Sequence, residues 1–281
     1  MFSSRKSIYL CILSLFICIA AAVWNAPASA VLLEGSFFRL HTVQPGDIVD
    51  GMVTLRNISS NPETVRFFLL DRLNDARYGR RYMEPAELER SNAPWIDLGQ
   101  REVTIAPGQQ FNLIYRIQVP DDESLSGTYW SALMIEPQPA EQEVNVEDSE
   151  SDKSFTVMIQ HVIRQEVMLV TNIGSSGSRQ VNFLEPQLRT SDDGTLIFEV
   201  LVENKGERLL NPNIWLELYD ESGRVVGRFQ NDQPRIYPGA ALRQSFGLGS
   251  LKVGTYLALV IVDEGGEDVF GARYTLQVTN D

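Results

Sequence analysis

The sequence predicts an all-β protein: two immunoglobulin-like β-sandwiches in tandem behind a signal peptide. Three observations carry this. Apolar and polar residues alternate in short runs, as at Phe111, Leu113, Tyr115, Ile117 and Val119 against Asn112, Arg116 and Gln118. That period of two gives a strand one buried and one wet face. Turn pairs such as Pro45-Gly46, Asn61-Pro62, Pro107-Gly108, Pro238-Gly239 and Gly265-Gly266 separate the runs, each chemically suited to reverse the chain. Finally, the chain repeats itself. Segments 53–57, 65–71, 103–108 and 127–133 reappear as 200–204, 214–220, 235–239 and 254–259. Each copy reads as a strand ending in Asn, a strand ending in Asp, a Pro-Gly turn and a Gly-Thr-Tyr strand entry, which implies two related units.

Residues 1–30 form the expected signal peptide. Arg5 and Lys6 precede an uncharged apolar stretch over 8–23, and Ala28-Ser29-Ala30 is a small-x-small cleavage site. Both cysteines, Cys11 and Cys18, lie in that segment. The exported chain is therefore expected to fold without disulfides, on core burial alone.

The first sandwich is expected over 31–174. Within it, 72–92 reads as a long connection carrying Arg72, Arg77, Arg80, Arg81 and Arg90, the one basic concentration after residue 30. Residues 84–90 suit one or two helical turns, with Pro85 tolerated in the first. Residues 136–154, rich in Glu and Asp with only Lys153 opposing, read as a mobile acidic loop. The longest β run, 155–171, closes the unit. Residues 172–178, a Gly/Ser run, read as a short flexible linker. The second sandwich follows over 179–281, with alternating sets at Leu196, Phe198, Val200 and Val202 and at Ile214, Leu216 and Leu218.

Catalytic chemistry is not encoded in a recognisable form. No cysteine remains after residue 30, and the two histidines, His41 and His161, lack zinc-site spacing. There is no Gly-x-Ser-x-Gly elbow. Asp192-Asp193-Gly194 and the acids at 121–123 and 263–268 are explained as hairpin turns. No enzyme activity, cofactor or metal is expected. Trp95, Trp130 and Trp215 read as core residues; a carbohydrate-binding row would need them on one face.

The whole chain carries −13, and losing Arg5 and Lys6 with no acid moves it to −15. Such a balance disfavours nucleic acid and anionic lipid as partners. After residue 30 no apolar run is long enough to span a membrane, so no membrane insertion of the exported chain is expected.

The blocks Asn92-Ala93-Pro94-Trp95-Ile96, residues 103–120 and Tyr129-Trp130 resemble the first domain of PapD-like periplasmic pilus-assembly chaperones. They also resemble the bacterial WxL-interacting surface proteins. The chaperone resemblance implies a non-enzymatic cell-envelope protein that binds envelope or surface protein subunits in assembling a pilus, fibre or adhesin. It implies β-strand addition at the closing strand, with Val157, Ile159 and Ile163 as the apolar row. It further implies Arg164 on that strand and Arg39 on the first as holders of a client carboxylate. The periplasm is the implied location, with the cell surface as the other. The WxL-interacting resemblance implies instead a structural or adhesive protein binding a wall polymer or glycan.

Overall fold

The alternating runs form strands, and their apolar faces close two separate cores. A computed structural model describes residues 31–138 and 163–279. The signal peptide and Val157, Ile159 and His161 lie outside the described residues.

The first part of the chain forms β1 (Val31–Glu34), β2 (Phe38–Val43), β3 (Ile48–Asn57), β4 (Glu63–Asp75) and β5 (Gly79–Met83). A short 3-10 turn, Ala93–Trp95, leads to β6 (Ile96–Asp97), β7 (Glu102–Ile105), β8 (Gln110–Gln118), β9 (Gly127–Pro137) and β10 (Gln165–Ile173). One sheet has the order β1-β3-β8-β6; the other has β2-β10-β9-β4-β5, with β7 also on β4. Phe67, Tyr115, Ile117, Leu133 and Leu169 are among the side chains buried between them. β2 runs parallel to β10, from Phe38 beside Met168 to Val43 beside Ile173.

The second part forms β11 (Val181–Thr190), β12 (Leu196–Asn204), β13 (Asn213–Tyr219), β14 (Val225–Gln230), β15 (Ala241–Gly249), β16 (Gly254–Asp263) and β17 (Val269–Val278). Its sheets have the orders β11-β12-β15 and β14-β13-β16-β17. Phe198, Leu216, Phe246 and Val260 lie in its core. The protein is thus two immunoglobulin-like β-sandwiches in tandem.

The repeated Asn of each copy has one physical role. Asn57 is fully buried and its Nδ2 donates to the carbonyls of Asn61 (2.7 Å) and Ile105 (2.8 Å). Asn204, equally buried, donates to Arg208 O (2.7 Å) and Ile236 O (2.8 Å). The Asn carbonyls accept from Gly108 and Gly239 of the Pro-Gly turns. Each Asn stitches the end of a strand to the Pro-Gly turn, satisfying backbone groups that burial would otherwise leave unpaired.

Four expectations change. Residues 72–83 are a β hairpin formed by the end of β4 and β5, in register from Asp71↔Met83 to Asp75↔Gly79. Residues 84–90 form turns, not helix, because Ala86 takes a φ of 74°, which no right-handed helix accommodates. The start of the supposed acidic loop, Glu136, is a buried part of β9; residues 139–154 lie outside the described residues. Residues 174–178 are tied down rather than loose. Arg208 Nη1 donates to Gly174 O (3.2 Å) and Ser176 O (2.7 Å).

A third cluster joins the two sandwiches. Trp130, Ala132, Met134, Met168 and Val170 project outward from β9 and β10 and meet Tyr237 and Ala240 of the second sandwich. The Trp130 and Tyr237 rings lie 4.9 Å apart, and Trp130 Nε1 donates to Arg72 O at 2.8 Å. The indole thus buries its apolar body while its N–H keeps a partner.

Candidate functional site

Between the sandwiches lies a groove of about 560 Å3, its floor the outward face of the β2-β10-β9-β4 sheet. Phe38, Met168 and Tyr237 give it an apolar base, while Arg72, Arg164, Glu166 and Arg235 supply charge. The strand period puts alternate residues of β10 here: Glu166, Met168 and, just before the strand, Arg164. Arg235 reaches from the second sandwich over the Phe38 ring, 4.1 Å from its centre, a cation–π contact.

Two carboxylates order the upper groove. Glu136 on β9 is nearly buried and pairs with Arg66 Nη2 (2.8 Å) and with Arg164. Both guanidiniums also sit over the Phe68 ring, at 4.9 and 5.6 Å. Burial pushes the Glu136 carboxyl up, but hydrogen bonds from Gln138 and Arg164 and the two positive charges outweigh it, so the group is held below its ordinary pKa. Glu166 pairs with Arg72 (3.1 Å) and accepts from Tyr82 OH (2.5 Å). At the base, burial pushes the Tyr237 hydroxyl up to about 12.

The leading end of β10 is open on one side. β2 begins pairing at Met168, so among the described residues Gln165, Glu166 and Val167 have no strand there. Gln165 substitutes a side chain for one: its amide accepts from Leu33 N (3.1 Å) and donates to Val31 O (2.6 Å). Ile163, just upstream, is 54% exposed.

The structure separates the two arginines expected to act together. Arg164 faces the groove. Arg39 is beside Leu169 on β2 and faces the opposite way, toward His41 and Tyr115. One residue of strand register decides this, since neighbouring positions project to opposite faces. His41 Nε2 and Tyr115 OH are 2.9 Å apart. Burial, with the Arg39 charge, lowers the His41 pKa, and burial pushes the Tyr115 hydroxyl up to about 12. His41 is a core-edge residue.

The three tryptophans share no face. Trp95 packs on the first core beside Tyr129 (4.6 Å), Trp130 lies between the sandwiches, and Trp215 lies under Arg228 on the second. No cluster of three His, Cys, Asp or Glu able to hold a metal occurs among the described residues. No helix there is long and apolar enough to cross a membrane.

Sequence reasoning missed Glu136, Gln165, Arg235 and Tyr237. The last two lie in the repeated Pro-Gly segment, whose strand-and-turn signal masked a second role in covering the groove.

No family model matches the chain, and no curated protein matches it. Solved structures similar to it include one titled a chaperone–tip adhesin complex of CFA/I fimbriae biogenesis. That match has a TM-score of 0.47 and 11% identity, covering 87% of this chain and 97% of that one. The class 5 fimbriae chaperone CfaA matches with a TM-score of 0.45 and 10% identity, over 89% of this chain and 100% of that one. A Salmonella enterica SafA pilin–SafB chaperone complex matches with a TM-score of 0.42 and 13% identity, over 90% and 99%. The chain matches these three structures over most of its length.

Proposed function

We propose that the protein is a non-enzymatic, periplasmic chaperone-like factor that binds surface subunits during assembly of a pilus, fibre or adhesin. The observation that carries this is the open leading edge of β10 at the mouth of the groove. A subunit strand adds to that edge, main-chain hydrogen bonds supplying affinity and alternate side chains specificity. Ile163, with Val157 and Ile159 upstream, supplies the apolar row. Arg164 meets the client's anionic terminus from the groove side, exchanging Glu136 for the client carboxylate; such charge-assisted contacts suit a guanidinium. Arg39, on the other face of the sheet, has no part in that groove contact.

The test is surface assembly in cells together with co-purification of a named subunit. Ile163→Asp and Arg164→Gln are expected to reduce both strongly, and Ile163→Asp, at an exposed position, to keep the wild-type melting midpoint. Unchanged assembly in both variants, or no subunit recovered with the wild type, would overturn the proposal.

A further inference from the structure

The basic concentration read in the sequence resolves into two groups. Three of its five arginines are committed internally: Arg72 to Glu166, Arg77 to Asp75 and Glu203, and Arg90 to Glu207. Arg80 and Arg81 on β5 have no carboxylate partner among the described residues. On other strands Arg56 finds Glu34 and Arg116 finds Asp50.

The strand that carries them is an edge. Among the described residues β5 pairs only with β4, and its first four residues are exposed. Arg80 lies beside Asn74 and Arg81 beside Leu73, so the two guanidiniums stand on opposite faces of one free edge. At the tip Tyr78 is 63% exposed, between the Arg77 and Arg81 guanidiniums at 5.4 Å each.

The hairpin is also held rigidly. Asp75, almost buried, accepts from Ala241 N (2.8 Å), and Ala76 N donates to Ala241 O (2.7 Å). Arg77 Nη1 reaches Glu203 at 2.9 Å. An edge fixed at its base and bearing a cation on each face is preorganised to receive a strand.

We propose that β5 docks an extended acidic peptide of a protein partner, one with two consecutive carboxylates. Consecutive residues of an added strand project to opposite faces, so one carboxylate meets Arg80 and the next meets Arg81. The contact is independent of the β10 edge. The competing explanation is that the arginines only discourage edge-to-edge aggregation.

The probe is a fluorescent peptide, Thr-Val-Thr-Asp-Glu-Thr-Val-Thr, with an isomer in which one Thr separates the Asp from the Glu. Anisotropy titrations of the full exported chain are expected to show saturable, salt-sensitive binding of the first. The isomer, both acids on one face, is expected to bind about tenfold more weakly, as are Arg80→Ala and Arg81→Ala. Both positions are exposed, so the variants should keep the wild-type melting midpoint. Absence of saturable binding, or equal binding by the variants or the isomer, overturns the proposal. Binding to phosphatidylglycerol vesicles in place of the peptide, lost in the same variants, also overturns it and assigns the hairpin to a lipid surface.

Discussion

Asn57 and Asn204 show what a repeated residue is for. Each directs one donor at a buried carbonyl and one at a half-buried carbonyl, and accepts from a nearby N–H, Ser59 or Gly206. Leucine has the same branched skeleton, somewhat larger, and none of these groups. Asn57→Leu and Asn204→Leu should each cost about 3 kcal/mol through orphaned backbone partners, read from urea denaturation. Because the two sit in different sandwiches, the double variant should cost the sum; a loss near zero in either would contradict the stitching role. The repeat was legible as letters, but only the fold reveals that each Asn bonds to the turn of its own copy. Arg164 was legible in the same limited way. Its charge could be read, while its pairing with Glu136 depends on the β9–β10 register, which brings distant residues together.

At the scale of elements, the joint between the sandwiches was misread. A Gly/Ser run ordinarily means slack. Here a Cβ on Gly177 would lie 2.4 Å from the Gly127 Cα, one on Gly127 2.3 Å from Glu207 O, and one on Gly206 2.4 Å from Ser178 O. The glycines are required by close backbone approach, and Gly177 also has a φ of 90°. Gly177→Ala should cost about 2–3 kcal/mol and shift the small-angle scattering profile as the sandwiches part. Gly223→Ala, with a φ of 78° but open space around it, should carry only about 1 kcal/mol of backbone strain and leave scattering unchanged. Equal effects of the two would deny the joint its tight fit. The sandwich strands were legible because alternation survives in β3, β8, β12 and β13. The β5 hairpin was not, because exposed Arg and Tyr hide a strand that has no core face of its own.

The whole molecule behaves as one body if the third cluster couples the sandwiches. Trp130 and Tyr237 are buried against each other, and Thr128 Oγ1, Glu207 and Asp75 add polar ties across the joint. Calorimetry of residues 31–281 should therefore give one unfolding transition. Tyr237→Ala, removing about 3–5 kcal/mol of packing, should split it into two; an unsplit transition would place the coupling elsewhere. The same cover carries a consequence in time. The chain emerges N-terminus first, so every strand of the first sandwich is complete once Ile173 has been made. Its Trp130, Met168 and Val170 face nevertheless waits uncovered until residues 235–241 arrive. Until then this surface is the adhesive part of a half-made molecule, and the second sandwich is what retires it.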